Sequence, residues 1–417
     1  MVNRRQAAGR LKPLRALVRM ALTGVVTTLD YLTPKSRTLL VFGGDDGTKF
    51  TGNSRMLFEE ACRTQGWDPY WISTSRALTA AVDAVHPGRA VLDTTPRALL
   101  LGIRARAVLV SHSRRDVGLL GYSRLRRYVQ LTHGVGPKTM GYAKRDFDRV
   151  ALDRETSTYA HLVCSSAFEA TFWELGYHLP LDDIWPIGVP RTDLLLEPAD
   201  PVLAAEHPVL RGKVVLYAPT FRDWAVLEDY LPIPGMDPGA LVDLLERHDA
   251  TLLIRPHYYE TEAARATIAR VGSPRVQTAD DSVFGDTIEL LKHVDVLVTD
   301  YSSIYTDFLL LDRPVIFNPV DLAEYEGARG FFFRYEDHTP GTKAVTAADF
   351  LAALEAELTG SDPYRTERAS ARELFFAHPS GGARQRILQR LAEDPVSWPG
   401  PLPRRRSGRS PRRRSAR

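Results

Sequence analysis

Residues 295–307, which read DVLVTDYSSIYTD, place polar side chains directly after a short apolar run. Residues 296–298 have the continuous apolar character of a buried parallel strand, and Ser302 and Ser303 follow just before a helical pattern. Serine is a favoured N-cap residue, and the free backbone N–H groups at a helix start attract anions. The segment therefore predicts either an anion site at a strand–loop–helix turn or a serine that only caps its helix.

Three further segments repeat this order of apolar run and polar loop: residues 130–141, 214–223 and 252–258. Their loops are rich in Arg, His, Lys and Thr and poor in carboxylates. Such a set suits a doubly charged pyrophosphate, because it offers positive charge and hydrogen-bond donors at the ends of parallel strands. We expect a nucleotide-linked phosphate as the ligand. The residues concerned are His133, Gly134, Gly136, Lys138, Thr220, Arg222, Arg255 and His257.

Taken together, these segments resemble the CDP-glycerol glycerophosphotransferases of wall teichoic acid synthesis. The matching motifs are HG...K at residues 133–138, GVPRTDLL at 188–195, YAPTFR at 217–222, RPH at 255–257, DVLVTDYSSIYTDF with RPVIF at 295–317, and DLAEYEGARGFFF at 321–333. Their order and spacing agree over roughly residues 38–390. The family usually has Trp before the His and Thr-Pro after the Gly, whereas here Thr132 precedes His133 and Val135 follows Gly134. This departure bears on which acceptor the enzyme prefers more than on the transfer reaction itself.

The resemblance implies transfer of a polyol phosphate, with glycerol phosphate favoured over ribitol phosphate, from a CDP-activated donor to a lipid-linked (polyprenyl) acceptor. CMP would be released during synthesis of teichoic acid or a related cell-surface polymer. His133 would be the catalytic base, since a histidine is largely neutral at cytoplasmic pH, and His257 would donate a hydrogen bond to phosphate. The donor contacts implied are Gly134, Val135, Gly136, Lys138, Arg191, Pro219, Thr220, Arg222, Arg255, Pro256, Ser302, Ser303 and Asp307.

Asp307 has two interpretations. It follows Ser303 by four positions and so shares a helix face with it, where it could bind a hydroxyl of ribose or glycerol. It could equally be an acid that complements the helix dipole.

Two other functions fit parts of the sequence. A sugar-nucleotide glycosyltransferase of the GT-B class acting on a cell-envelope glycan would use a similar cleft but release a nucleoside diphosphate. A protein without catalysis could bind polyanions through the arginine-rich tail and would tolerate loss of His133. We expect no cofactor and no obligatory metal, because no DxD pair stands at the predicted site. Cys62 and Cys164 lie far apart, which argues against a disulfide framework or structural zinc.

Alternating strand and helix patterns predict an α/β fold with two facing, doubly wound parallel-sheet domains, similar to GT-B. Strands are predicted at residues 38–42, 70–72, 107–112, 127–132 and 162–165, and then at 214–218, 251–255, 295–299 and 314–317. A passage rich in Pro and acids, 197–208, separates the two series. We place an acceptor-side domain at 38–200 and a nucleotide-donor-binding domain at 201–395. The GGDD sequence at 43–46 favours a plain turn over a nucleotide loop, because two acids would oppose a phosphate.

The charge of the chain is unevenly distributed. Its net charge is +3, but residues 1–37 carry +7 and the tail 404–417 carries +8, which leaves −12 for the rest. The tail, from residue 396 onwards, is predicted to be disordered. Such cationic ends suit an anionic membrane better than nucleic acid, because residues 404–417 contain no interleaved aromatic residue and the body would repel a polyanion.

The segment before residue 38 has apolar residues at helical spacing. It could lie on a membrane or pack on its own domain. Its longest apolar stretch, residues 20–29, is too short to span a bilayer. We therefore expect a peripheral protein at the cytoplasmic face of the membrane. The apolar stripe consists of Leu14, Leu17, Val18, Ala21, Leu22, Val25 and Leu29.

Overall fold

A computed structural model of the protein describes residues 12–123, 125–132, 134, 136–222 and 229–393. These residues form two α/β domains, each built on a parallel sheet. The first sheet has seven strands in the order β3-β2-β1-β4-β5-β6-β7, and the second has six in the order β10-β9-β8-β11-β12-β13. The predicted fold class, two doubly wound parallel-sheet domains, is confirmed.

Each strand is short, and most of the central ones are buried along their whole length. The first sheet contains β1 (Leu39–Phe42), β2 (Asp68–Ser73), β3 (Ala90–Leu92), β4 (Ala107–Val110), β5 (Tyr128–Gln130), β6 (Tyr159–Cys164) and β7 (Ile184–Pro186). The second contains β8 (Lys213–Tyr217), β9 (Ala250–Ile254), β10 (Val276–Thr278), β11 (Val296–Thr299), β12 (Val315–Phe317) and β13 (Thr342–Lys343). Continuous apolar runs such as LLVF and VLVT form strands covered by helices on both faces.

The α-helices connect these strands and cover the sheets. In the first half they are α1 (Lys12–Leu32), α2 (Gly52–Arg63), α3 (Arg76–Val85), α4 (Pro96–Arg104), α5 (Arg149–Thr156), α6 (Ala167–Tyr177), α7 (Pro190–Leu196) and α8 (Pro201–Glu206). In the second half they are α9 (Pro238–Arg247), α10 (Thr261–Val271), α11 (Thr287–Leu291), α12 (Ile304–Phe308), α13 (Leu322–Ala328), α14 (Ala347–Leu358), α15 (Arg365–Phe375) and α16 (Ala383–Glu393).

The last helix crosses back to the first domain. Ile387, Leu388 and Leu391 of α16 pack in one buried cluster with residues of β1 and β5, including Leu40 and Val129. The predicted domain 201–395 therefore includes a helix that completes the core of the first domain.

Helix α1 packs on the first domain through one face. Val26 and Asp30 are buried, and the Asp30 carboxylate lies 2.7 Å from Nη2 of Arg126 and 2.8 Å from Nζ of Lys35. Val25 and Leu29 of the predicted apolar stripe lie on another face, with 58% and 40% exposed. In the part of the chain that the structure describes, no helix has the length and apolar character needed to cross a membrane. The Arg-rich tail lies outside the described residues.

Candidate functional site

The second sheet reverses its strand order between β8 and β11, and its crevice opens at the carboxyl ends of these strands. Open parallel sheets bind ligands at such a switch point. The loop after β8 contains Pro219 and Thr220, and the loop after β11 contains Ser302 and Ser303. Four residues predicted to bind the donor therefore lie around one crevice.

A buried carboxylate, that of Asp300, holds these two loops together. Its oxygens accept hydrogen bonds from the backbone N–H of Thr220 at 2.9 and 3.1 Å and from the N–H of Tyr301 at 2.5 Å. Both loops are thus fixed before a ligand binds. The Thr220 hydroxyl is buried and has no hydrogen-bond partner among the described residues, so it is available to a ligand oxygen.

Asp300 is not among the residues predicted for the site. The signal that could have found it is an acid directly after a buried strand, at the position where the sheet order reverses. Its partner is Arg222, which pairs with Asp300 and lies 2.8 Å from the Asp321 carboxylate, with only 5% of its side chain exposed. These contacts give Arg222 a positioning role, because both carboxylates already occupy its guanidinium group.

The loop after β9 begins with Arg255, which also binds the protein. Its Nη1 atom donates to the carbonyl oxygens of Ala279 at 2.6 Å and Phe284 at 3.0 Å, and Nη2 lies 2.7 Å from the Asp281 carboxylate. Pro256, the next residue, is buried. Arg255 therefore fixes the position of the loop after β9, and this loop contains His257.

The His257 ring stacks on the ring of Phe221, with 4.8 Å between centroids. Burial lowers the pKa of His257, the Asp281 charge raises it, and the charges of Lys138 and Lys49 lower it further, so that the net pKa is below the usual 6.5. The imidazole is therefore neutral at neutral pH and can donate one hydrogen bond. The two lysines belong to the first domain, so His257 faces the cleft between domains.

The loop of Lys138 runs along the second domain. Lys138 forms an antiparallel bridge with Phe331, and the backbone N–H of Phe332 donates to the carbonyl oxygen of Pro137 at 2.7 Å. Burial lowers the pKa of Lys138, and the nearby Asp300 charge opposes this shift. The Lys138 ammonium group is therefore close to the switch point of the second sheet.

Gly136 lies directly against the start of α12. A Cβ atom at this position would approach Cα of Ser303 to 2.9 Å, so only glycine lets the two segments come this close. Helix α12 has five residues, and the Ser303 side chain forms no capping hydrogen bond with the described residues. The expected helix-dipole contribution is weak in so short a helix. The predicted alternative, a serine that caps the helix, is wrong for Ser303 but fits Ser302, whose Oγ accepts the backbone N–H of Ile304 at 3.4 Å.

Arg191 of α7 and Asp307 of α12 join the two domains by a buried ion pair. Nη2 of Arg191 lies 2.7 Å from Oδ2 of Asp307. Gly134 covers the pair with φ at +107°, and a Cβ atom there would lie 2.2 Å from Nη2 of Arg191. Burial raises the pKa of Asp307, and Arg191 opposes this shift. A ligand hydroxyl bound by Asp307 would have to share the carboxylate with Arg191.

His133 and Val135 lie outside the described residues, but the backbone on either side of them is constrained. Thr132 has φ at +58°, a left-handed conformation that is strained for a β-branched residue. The Asn53 amide donates to the carbonyl oxygen of Thr132 at 3.1 Å, and its oxygen accepts the backbone N–H of Arg191 at 2.9 Å. Thr132, directly before His133, is thus linked through Asn53 to Arg191.

The crevice offers the Lys138 ammonium group and hydroxyl groups, while each of the nearest acids is paired with an arginine. Asp300 and Asp321 pair with Arg222, and Asp307 pairs with Arg191. Among the described residues, no group of three or more His, Cys, Asp or Glu side chains could hold a metal ion. Such an arrangement suits a phosphorylated ligand.

Comparison with known proteins agrees with this geometry. The sequence model of a family described as CDP-glycerol:poly(glycerophosphate) glycerophosphotransferase matches residues 25–393. The chain is 25% identical to the teichoic acid ribitol-phosphate polymerase TarL of Staphylococcus aureus over 381 residues, which are 88% of this chain and 64% of TarL. It is also 25% identical to the teichoic acid glycerol-phosphate transferase of the same species, over 85% of this chain and 93% of that protein. The fold is similar to that of the wall teichoic acid polymerase TagF, with a TM-score of 0.73 at 21% identity over 95% of this chain and 98% of that chain.

Proposed function

This chain belongs to the CDP-glycerol:poly(glycerophosphate) glycerophosphotransferase family, and on that premise we propose that it transfers a polyol phosphate from a CDP-activated donor to a lipid-linked (polyprenyl) acceptor. Glycerol phosphate is the favoured group, and ribitol phosphate is the alternative, since curated relatives include both kinds of enzyme. The product is a teichoic acid or a related cell-surface polymer, and CMP is released.

One observation carries this proposal: chemical groups from both domains converge on a single crevice. The second domain contributes Thr220, Ser303 and His257, and the first contributes Lys138 through a loop whose Gly136 touches Ser303. Pyrophosphate needs several donors and positive charge at one place, which neither domain provides alone.

The reaction forms one P–O bond and breaks another. A hydroxyl oxygen of the acceptor attacks the phosphorus that carries glycerol, His133 takes the hydroxyl proton, and the electron pair of the broken P–O bond leaves with CMP. Neutral His257 donates a hydrogen bond to a phosphate oxygen, and Lys138 stabilises the negative charge that develops. These groups supply stabilisation without a metal, so we expect transfer to continue in a chelator.

Identification of the released nucleotide tests the proposal. The purified protein is incubated with CDP-glycerol or CDP-ribitol and a lipid-linked acceptor, with sugar nucleotides in parallel reactions. Release of CMP together with acceptor elongation is the expected result. Release of a nucleoside diphosphate from a sugar nucleotide, without turnover of either CDP-polyol, would support a glycosyltransferase instead.

We further propose that the reaction takes place at an anionic membrane surface, on its cytoplasmic face. Helix α1 packs on the first domain with Val26 and Asp30, while Met20, Val25 and Leu32 remain 62%, 58% and 69% exposed. Basic residues near anionic lipid contribute about 1 kcal/mol each before salt screening. Both cationic ends and the exposed apolar side chains of α1 therefore support peripheral attachment.

A further inference from the structure

The chain leaves the first sheet just before the proposed base, His133. Strand β5 ends at Gln130, and the backbone N–H of Leu131 still donates to the carbonyl oxygen of Val110 in β4 at 2.7 Å. The next residue, Thr132, directs both of its backbone groups at buried side chains instead. Its conformation is therefore set by side chains rather than by the sheet.

Two buried amides, those of Asn53 and Gln130, bind the backbone of Thr132, and we call this pair the amide clamp. Oε1 of Gln130 accepts the N–H of Thr132 at 3.1 Å, and Nδ2 of Asn53 donates to its carbonyl oxygen at 3.1 Å. Asn53 also donates to the carbonyl oxygen of Leu131 at 2.9 Å. The two amide residues are only 1% and 2% exposed, so water does not compete for these bonds.

The conformation that the amide clamp holds is a costly one. Thr132 has φ at +58°, a left-handed conformation that disfavours an L residue with a Cβ atom about tenfold. Its hydroxyl is also buried and has no hydrogen-bond partner among the described residues, which adds a second cost. Local strain of this kind persists only where the surrounding structure enforces it, and it is concentrated at functional sites.

Position 53 needs both halves of an amide. Nδ2 of Asn53 faces the two carbonyl oxygens, while Oδ1 accepts the backbone N–H of Arg191 at 2.9 Å. A carboxylate could accept from Arg191 but would repel the carbonyl oxygens, and an apolar side chain would leave three backbone groups without their partner. Asparagine meets both requirements because it has a donor and an acceptor on one short side chain.

Through Arg191, Asn53 also acts on the chain that follows His133. The guanidinium group of Arg191 packs so closely on Gly134 that a Cβ atom there would lie 2.2 Å from Nη2. The same group lies 2.7 Å from the carboxylate of Asp307 in the second domain. One side chain therefore connects the backbone before His133, the residue packed on the backbone after it, and the opposite domain.

We propose that Asn53 and Gln130 are positioning residues for the transfer reaction: they hold Thr132 in its left-handed conformation and thereby set the position of His133 relative to the donor. This inference rests on the proposed function, in which His133 is the base. A displacement of about 1 Å at a reacting group can lower a rate about 100-fold, so the enforced backbone at Thr132 has a kinetic consequence.

A purely structural role for Asn53 makes a different prediction. Its oxygen accepts a backbone N–H in the first turn of α7, and that bond could serve folding alone. Glycine at position 132 distinguishes the two roles, because glycine adopts a positive φ without the cost that threonine has. If the amide clamp acts by enforcing this conformation, Thr132→Gly should make the clamp largely dispensable.

Steady-state kinetics test the amide clamp. Asn53→Ala should lower kcat about tenfold or more and leave the KM for CDP-glycerol unchanged, because Thr132 then returns to a negative φ while the donor crevice is intact. Adding Thr132→Gly to Asn53→Ala should restore most of the lost kcat. Gln277→Ala is the matched control and should keep the wild-type kcat, since the exposed Gln277 amide donates to the carbonyl oxygen of Pro274 at 2.8 Å.

Gln130→Met tests the other half of the amide clamp. Methionine keeps the size of the side chain but removes the acceptor for the Thr132 N–H, and the bond between Asn53 and Arg191 stays in place. The variant should lose kcat in the same way and regain it with Thr132→Gly, which also keeps the test decisive if Asn53→Ala does not fold. A wild-type kcat in both clamp variants would overturn the proposal, as would a loss that Thr132→Gly fails to restore.

A measurement without turnover separates this inference from the proposed function. The histidine NMR signal of His133, assigned by its absence in His133→Ala, should shift in Asn53→Ala and in Gln130→Met and move back when Thr132→Gly is added. Such shifts in a protein that releases no CMP from either CDP-polyol would retain the amide clamp and reject the proposed function. Normal CMP release with an unshifted His133 signal in both clamp variants would reject the clamp alone.

Discussion

At the scale of single residues, the site contains side chains that bind the protein and side chains left for a ligand. Arg222 and Arg255 direct their guanidinium groups at protein carboxylates and carbonyl oxygens. Thr220 keeps a hydroxyl without a partner among the described residues, and Ser303 does not cap its helix. The sequence predicts which residue types stand at the strand ends, but the partner of each one depends on tertiary contacts such as those of Asp300.

This division predicts different effects for two classes of substitution. Thr220→Val and Ser303→Ala should weaken CDP-glycerol binding about tenfold or more at unchanged Tm, because each removes a hydrogen bond to charged phosphate. Arg255→Ala should lower Tm as well, because it leaves the buried carbonyl oxygens of Ala279 and Phe284 without their donor. Calorimetric titration and thermal unfolding measure the two effects. Unchanged donor affinity in the first two variants would place the phosphates elsewhere.

The two histidines are expected to act in the reaction rather than in folding. His133→Ala and His257→Ala should each reduce transfer about 100-fold or more with the fold intact. His248→Ala is the control, since His248 precedes β9 at the opposite edge of the sheet and lies 3.5 Å from Glu355. Near-normal turnover in either of the first two variants would remove that histidine from the mechanism.

Breaking the Arg191–Asp307 pair should make the stability of the protein depend on pH. Arg191→Ala leaves the buried Asp307 carboxylate without its counter-charge. The free energy of unfolding should therefore fall by about 3–5 kcal/mol at neutral pH. The folded-state pKa of Asp307, already raised by burial, should rise further. The folded state then holds the proton more tightly than the unfolded state, so the loss should shrink as the pH falls below this pKa towards about 4.

Thermal unfolding of Arg191→Ala across this pH range measures whether the loss of stability shrinks as the pH falls. The double variant Arg191→Ala with Asp307→Asn removes the titrating carboxylate and should show a smaller loss that is independent of pH. A loss in Arg191→Ala that stays constant with pH would contradict an uncompensated Asp307.

At the scale of elements, long apolar runs were the reliable signal. The strands β1, β4, β8, β9 and β11 lie within two residues of their predicted positions. The strands β3, β7, β10 and β13 were not predicted, because a strand of two or three residues is too short to show a periodic pattern. β12 is equally short and was predicted from the apolar run at 314–317. The contact between Gly136 and Ser303 was not predictable either, because it joins loops of two domains.

That contact gives a prediction about the loop of residues 136–140. Gly136→Ala should reduce transfer about tenfold or more, because the added Cβ would lie 2.9 Å from Cα of Ser303 and force the loop away from α12. Gly327→Ala is the matched control, since its Cβ would meet nothing within 4 Å and alanine is the better helix former. Kinetic assays and Tm measurements of both variants test this prediction. Equal activity in the two variants would show that close approach at Gly136 is not required.

At the scale of the whole molecule, the N-terminal helix has two predicted roles, packing on its own domain and lying on a membrane, and the two are compatible. Helix α1 packs on the first domain through Val26 and Asp30, and it presents Val25 and Leu32 to solvent. Deleting residues 1–30 would therefore test folding as well as attachment, because Arg126 would lose its buried partner Asp30. Substitutions on the exposed face avoid this difficulty.

We expect Val25→Glu combined with Leu32→Glu to weaken binding to anionic vesicles, because both changes place negative charge on the face assigned to the lipid. Val202→Glu is the matched control, as Val202 is 56% exposed on α8. Transfer to a bilayer-embedded acceptor should fall in the double variant, while transfer to a soluble analogue stays normal, because the membrane only concentrates the acceptor. Vesicle sedimentation at low salt is the direct measurement. If the wild-type protein fails to sediment with the vesicles, or if the double variant sediments as well as Val202→Glu, attachment through α1 is wrong.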